Sequence, residues 1–149
     1  MLLTPPVQLA TSDEDILACH PVMHELRPHI DKEEFVSRVR AQAQVNDFQL
    51  AYLRDQNLIV AVAGFRIGYN LAWGHYLYVD DLVTRATHRS RGFGAILLRW
   101  LHDFARKAGC DQLHLDSGLQ RKGAHQFYER HEMPNTALHF ASAIKPNSA

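Results

Sequence analysis

One segment constrains this chain more than any other, because a strand, a basic loop and a helix follow each other in it without interruption. The strand covers residues 79–84, and two glycines open an amphipathic stretch that ends before Gly109. Apolar residues recur on one face of that stretch, which predicts a helix over 92–108 that Gly109 terminates. A strand that leads into such a helix requires a sheet for the helix to cover.

The start of the predicted helix is suited to a phosphate group. The first backbone N–H groups of a helix have no partner within it, and the helix dipole places partial positive charge beside them. Gly92 and Gly94 allow close approach to that backbone, while Arg89 and Arg91 add formal charge. The pattern is typical of a pyrophosphate site. The glycines alone leave a structural alternative open, in which they only permit tight helix–sheet packing.

The spacing of these residues distinguishes between phosphate-binding motifs. A dinucleotide fingerprint needs a third glycine at position 97, which is Leu97, and a P-loop needs Gly-Lys-Ser/Thr, which does not occur. The chain instead has Arg-x-x-Gly-x-Gly over 89–94 and, downstream, Ala124-His-Gln-Phe-Tyr-Glu-Arg130. These two ordered segments resemble the acyl-CoA-binding motif and the tyrosine-bearing helix of the GNAT N-acetyltransferase superfamily.

The remaining pattern agrees with that resemblance. Strands are predicted over 7–10, 48–53, 58–67, 75–84, 112–116 and 137–144, and helices start after Ser12, after Asp31, at Gly92 and at Lys122. This order predicts an α/β (α+β) protein. The resemblance implies a GNAT-like mixed, mostly antiparallel central sheet flanked by helices, splayed between the central strand and the strand after the CoA-binding helix. We expect one N-acetyltransferase domain over 1–149, with a disordered tail from Lys145.

Composition excludes several other classes of protein. Sixteen basic and sixteen acidic residues give zero net charge, which argues against nonspecific nucleic-acid binding. No apolar run approaches the roughly 18–20 residues of a membrane span, and no secretory signal opens the chain. We therefore expect a cytoplasmic protein without a membrane partner. We expect no metal either, because Pro21 separates His20 from His24 and no His-Glu-x-x-His motif exists.

The resemblance implies acetyl-CoA as cosubstrate and assigns it a set of residues. The pantetheine arm would pair with the backbone of the central strand, at Leu82, Val83 and Thr84. The pyrophosphate would accept hydrogen bonds from the backbone N–H groups of Arg89, Arg91, Gly92, Phe93, Gly94 and Ala95. The splayed sheet would leave a cleft for the thioester and unpaired N–H groups for its oxygen.

Three residues are candidates for catalysis. Tyr128 matches the family tyrosine that protonates the CoA sulfur; the alternative is a tyrosine that only packs. Asp80 and Asp81 are adjacent, so their side chains point to opposite faces of a regular strand, unless the bulge that the family carries here changes the alternation. We expect one of them to bind the ammonium group or accept its proton, and the other to be structural, paired with Arg85 or Arg121. A plain surface or salt-bridge role for both is the alternative.

The sequence therefore predicts an N-acetyltransferase that moves an acetyl group directly from CoA to a primary amine of a small molecule or peptide. The acidic pair favours a cationic amine. A homodimer, common in the superfamily, is compatible with this prediction. Two alternatives are a CoA-binding regulatory module without turnover and a nucleotide- or phosphate-binding interaction protein.

One departure from the family concerns the end of the tyrosine helix. The family places Gly-Phe there, whereas this chain has Glu132-Met133. A glutamate with positive φ costs about 1 kcal/mol or more, so we expect the end of this helix to be rearranged.

Overall fold

The structure is a computed structural model that describes residues 6–145, so the tail beyond Lys145 lies outside the described residues. The strands are β1 (Val7–Leu9), β2 (Gln49–Asp55), β3 (Leu58–Asn70), β4 (Gly74–Thr84) and β5 (Gln112–Leu115). The helices are α1 (Asp13–Ala18), α2 (His20–Leu26), α3 (Lys32–Asn46), α4 (Phe93–Lys107) and α5 (Lys122–Arg130), with a 3₁₀ turn at Ala86–His88. The described residues form two compact units, which divide after Leu115.

The first unit is built on a five-stranded sheet in the order β1-β2-β3-β4-β5. Neighbouring strands are antiparallel except β4 and β5, which are parallel and joined through α4. A parallel pair needs such a crossover, because a short turn cannot return the chain to the starting edge. The predicted fold class, a mixed and mostly antiparallel sheet flanked by helices, is confirmed.

A separate apolar core lies on each face of this sheet. On one face, α1–α3 bury side chains such as Ile16 and Phe35 against β-strand residues that include Val62 and Val83. On the other face, α4 buries Leu97 and its apolar neighbours against strand residues that include Phe65, Leu77 and Val79. We call these two surfaces the α1–α3 face and the α4 face. Because side chains alternate along a strand, membership of a core shows which face each strand residue occupies.

The second unit contains α5 and the residues that follow it. The prediction of a strand over 137–144 is wrong, because residues 133–143 have no regular secondary structure. Leu138, Phe140 and Ile144 provide the alternating apolar pattern, yet they are 66%, 87% and 91% exposed. A strand has no hydrogen bonds within itself, so alternation becomes a strand only where another strand pairs with it.

The end of α5 also differs from expectation. Glu132 adopts φ 63°, its N–H donates to the Glu129 carbonyl, and the Met133 N–H donates to the Tyr128 carbonyl at 2.9 Å. These two bonds form a Schellman motif with glutamate at the position that usually holds glycine. The prediction of a rearranged end is therefore wrong, since this helix keeps the usual termination in spite of the unfavourable residue.

Candidate active site

The central strand β4 has an edge that its parallel neighbour covers only in part. Pairing with β5 runs from Tyr76 opposite Gln112 to Val79 opposite Leu115, where β5 ends. Strand β4 continues to Thr84 and remains paired with β3 on its other side. Within the described sheet, residues 80–84 therefore present backbone N–H and C=O groups that no strand takes up on this side. An extended ligand can bind to such an edge as an added strand.

A β-bulge lies where the pairing with β5 stops. Gly64 of β3 is opposite Asp81 and Phe65 is opposite Val79, so Asp80 is an extra residue on β4. The bulge that the family resemblance implied is therefore present. It reverses the alternation, because Val79 packs on the α4 face whereas Val83 packs on the α1–α3 face.

The bulge brings both aspartates to the α1–α3 face. Asp81 shares that face with Val83, two residues further along the strand. Asp80 pairs with Arg66, whose neighbours Phe65 and Ile67 pack on the α4 face, so the arginine points the other way. The separation expected of a regular strand does not occur, because the bulge changes the alternation as the resemblance had implied, and the two carboxylates belong to one surface.

Each carboxylate pairs with an arginine that the sequence analysis did not single out. Arg66 Nε lies 3.1 Å from Asp80 Oδ2, and Arg27 Nε lies 2.8 Å from Asp81 Oδ1. The suggested partner Arg85 instead donates to the Ile59 carbonyl, so the assignment to Arg85 or Arg121 is wrong. No local pattern marks these pairs, because Arg27 is 54 residues away from Asp81 in sequence.

Asp81 is the more deeply buried of the two carboxylates. Its side chain is 12% exposed, and burial raises its pKa above 3.8 although Arg27 opposes the shift. Gly64 provides the room, since a Cβ there would lie 2.5 Å from Asp81 Oδ2. Arg27 also donates from Nη2 to the Asp80 carbonyl at 2.9 Å, so one guanidinium holds both the carboxylate and the bulge.

The loop between β4 and α4 has the backbone of an anion site. Ser90 has φ 62° and Gly92 has φ 87°, and α4 begins at Phe93 with no side-chain cap. A Cβ at Gly92 would meet no atom within 4 Å, so open space adjoins the start of the helix. Left-handed residues in such a loop turn successive N–H groups to one side, where the helix dipole adds positive potential.

Acidic side chains lie beside the loop arginines. Arg89 Nη2 lies 4.0 Å from Glu25 Oε1, which also accepts a hydrogen bond from the Ala86 N–H at 2.8 Å. Arg91 Nη2 lies 3.6 Å from Asp55 Oδ2. Both arginine side chains remain more than half exposed and can turn toward an anion. No sequence pattern marks Glu25 as a support for the loop, since it lies on α2, far from the motif.

Tyr128 lies in the second unit, on α5. Its ring is 9% exposed, and burial raises the pKa of its phenol while Arg121 acts in the opposite direction. At neutral pH the hydroxyl is therefore protonated and can serve as a proton donor. In the same unit, the hydroxyl of Ser117 is buried without a hydrogen-bond partner among the described residues.

The two cysteines offer little nucleophilic reactivity. Burial raises the pKa of Cys19 to about 12, and the pKa of Cys110 is raised by burial and by Asp111. Because the thiolate is the reactive form, both shifts lower the reactive fraction of these thiols at neutral pH.

The histidines form no metal site among residues 6–145, where no group of three or more His, Cys, Asp or Glu side chains could hold an ion. The Nε2–H of His20 instead donates to the Ile30 carbonyl at 2.9 Å, and its ring packs edge-on against Phe35. No helix in this part of the chain is long and apolar enough to cross a membrane.

Comparison with known structures supports the fold. AAC(6')-Iy, solved with the bisubstrate analog CoA-S-monomethyl-acetylneamine, superposes with a TM-score of 0.81 at 10% identity, over 96% of this chain and 99% of that one. At that identity the likeness establishes the architecture alone.

Sequence comparison identifies the family. The uncharacterized N-acetyltransferase YhdJ of Bacillus subtilis is 41% identical over 118 residues, which are 79% of this chain and 83% of that protein. The aminoalkylphosphonate N-acetyltransferase of Salmonella typhimurium is 25% identical over 87 residues, 58% of this chain and 56% of that enzyme. The acetyltransferase (GNAT) family model matches residues 13–133. The chain is thus an acyltransferase that belongs to the GNAT family, whose members use acetyl-CoA.

Proposed function

We propose that this enzyme transfers an acetyl group directly from acetyl-CoA to a primary amine of a small molecule or peptide. The observation that carries the proposal is the edge of β4 beyond Val79, which has no strand beside it in the described sheet and leads to the glycine-opened helix α4. A ligand with an extended arm and a pyrophosphate suits this arrangement, because the arm can pair with the open strand edge while the pyrophosphate binds at the anion site.

The chain's own groups would hold the cosubstrate at two places. The backbone of Leu82, Val83 and Thr84 would pair with the pantetheine amides. The pyrophosphate would accept hydrogen bonds from backbone N–H groups of the loop and helix start, at Arg89, Arg91, Gly92, Phe93, Gly94 and Ala95. Open space beside Gly92 supports this assignment, because a side chain there would occupy the position of the ligand.

The two aspartates would act on the acceptor. The α1–α3 face holds both carboxylates, and Asp81 has a raised pKa, which suits a group that takes a proton from an ammonium directly or through water. Asp80, whose side chain is 25% exposed, would bind and orient the ammonium. Arg27 and Arg66 would position the two carboxylates.

Tyr128 would protonate the departing CoA sulfur. Its match to the family tyrosine supports this role, and the raised pKa keeps its phenol protonated at neutral pH.

Direct transfer is favoured over an acyl-cysteine route, because both thiols have raised pKa values. The name of the Salmonella typhimurium relative favours a small-molecule acceptor. The composition of the chain favours a single cytoplasmic domain over 1–149.

The experiment is incubation of the purified protein with acetyl-CoA and a panel of primary amines. We expect release of free CoA thiol that depends on the amine, and an acetylated product by mass spectrometry. A regulatory module would instead bind CoA in calorimetry and release no thiol with any amine. Tighter binding of NAD or ATP than of CoA would refute the assignment of the cosubstrate.

A further inference from the structure

Four rings cluster on the α1–α3 face, and we call this cluster, Trp73, Tyr76, Tyr78 and His114, the aromatic wall. Trp73 lies in the turn between β3 and β4 and stacks on His114 with centroids 3.5 Å apart. It is nearly parallel to Tyr78 at 6.3 Å and meets Tyr76 edge-on at 5.3 Å. All four residues are partly exposed to solvent.

The alternation of β4 and β5 places these rings on one face. Leu77 and Val79 pack on the α4 face, so Tyr76 and Tyr78 point to the opposite side. Leu113 and Leu115 likewise pack on the α4 face, so His114 joins the tyrosines. The Trp73 N–H donates to Asn70 Oδ1 at 2.6 Å, which fixes the turn that carries the indole over them.

Arg66 connects the aromatic wall to the carboxylates. Its guanidinium carbon lies 4.7 Å from the centroid of the Tyr78 ring, and its Nε lies 3.1 Å from Asp80 Oδ2. The wall and the aspartates are therefore parts of one continuous surface. A group bound beside Asp80 would have the wall as its neighbour.

The charges on this surface favour a flat neutral group over a second cation. Asp80 and Asp81 each have an arginine partner, so two guanidinium groups balance the two carboxylates, and nothing here attracts a second cation beyond the ammonium that Asp80 would bind. Arg66 already takes the position over Tyr78 that a ligand cation would seek. An aromatic ring stacks on other rings without displacing that arginine.

We propose that the acceptor amine carries an aromatic or heteroaromatic ring which stacks on the aromatic wall, with Trp73 as the residue that selects for it. This inference rests on the proposed function, since it names the acceptor class for the same site. Stacking contributes about 0.5–1.5 kcal/mol beyond burial of area, which corresponds to a preference of about two- to tenfold.

The experiment compares phenethylamine with n-hexylamine, in kcat/KM and in binding to the protein–CoA complex by calorimetry. We expect the wild type to prefer phenethylamine in both measurements, Trp73→Ala to lose the preference and Trp73→Phe to keep part of it. Tyr69→Ala is the matched control. That ring belongs to the same hairpin and is 76% exposed, but it stacks on His75 and lies on the α4 face.

The outcomes separate this inference from the proposed function. If the wild type acetylates both amines with equal kcat/KM and binds them equally, the inference that the acceptor's ring stacks on the aromatic wall is refuted. The proposed function is then unaffected. Ring-dependent binding without any thiol release would support the wall and refute the proposed function. An unchanged preference in Trp73→Ala, with unfolding temperature and circular dichroism preserved, would overturn the role of Trp73.

Discussion

The glycines at the two ends of α4 allow a matched test of the pyrophosphate site. Gly92 has φ 87° and Gly109 has φ 82°, so alanine at either position adopts an unfavourable left-handed backbone. A Cβ would meet nothing within 4 Å at Gly92 and only His75 Nδ1, at 4.0 Å, at Gly109. Each substitution therefore costs about 1–2 kcal/mol of backbone strain, partly offset by a less flexible unfolded chain. We expect similar falls in unfolding temperature.

The two variants should differ only in their response to CoA. A ligand at about 100 times its dissociation constant stabilises the native state by about 2.7 kcal/mol, or roughly 5–10 °C for a domain of this size. The methyl group of Gly92→Ala would project into the space assigned to the pyrophosphate. We expect this variant to lose most of the CoA-induced shift and Gly109→Ala to keep it.

The assay is thermal unfolding followed by fluorescence, with and without CoA at a fixed concentration, on the wild type and both variants. Calorimetric titration of CoA supplies the dissociation constants independently. Equal shifts in Gly92→Ala and Gly109→Ala would refute the argument that the start of α4 binds the pyrophosphate. Loss of the CoA-induced shift in both variants would show that a substitution at either end of α4 disturbs CoA binding. The position of the methyl group would then be irrelevant.

Three further changes test other parts of the structure. Tyr128→Phe should lower turnover by about 100-fold and leave CoA affinity unchanged, as kinetics and calorimetry would show; parallel losses would contradict the role of general acid. Glu132→Gly should raise the free energy of unfolding in urea by about 1 kcal/mol, because φ 63° suits glycine, whereas Glu132→Ala should not. The raised pKa of Asp81 means that the native state holds the proton more tightly than the unfolded state, so ionisation removes stability as pH rises from about 3.8 through that raised pKa. The unfolding free energy of the wild type minus that of Asp81→Asn should therefore fall over this range in urea titrations; a constant difference would contradict the burial argument.

Local periodicity was sufficient to predict most of the elements. Helix α4 was predicted over 92–108 and spans Phe93–Lys107, because its apolar face and its terminal glycine are both local signals. The left-handed backbone at Gly92 also follows from residue type, since glycine adopts it without steric cost. The loop that would bind the pyrophosphate was predictable for the same reason, because its proposed chemistry is that of the backbone and its residues are consecutive.

Interactions between distant segments could not be predicted from the same patterns. Arg27 and Asp81 are 54 residues apart, and nothing in the sequence around either residue indicates the other. The alternation over 137–144 is a strong local signal for a strand, yet strand formation depends on a partner that local sequence does not specify. The stacking of Trp73 on His114 is of the same kind, because these two residues meet only once β4 and β5 are paired.

A single inserted residue connects the features on which the proposed chemistry depends. Asp80 is the extra residue on β4, and the residue before it, Val79, is the last that pairs with β5. A bulge bends and twists its strand, and this bulge lies where the pairing with β5 ends and the edge of β4 becomes open. With regular alternation Asp81 would share the α4 face with Val79, whereas the bulge places it on the α1–α3 face, where Gly64 leaves space for its carboxylate. The open edge and the paired carboxylates therefore meet at the bulge, and a regular strand of the same sequence would turn Asp81 toward the apolar side chains that pack against α4.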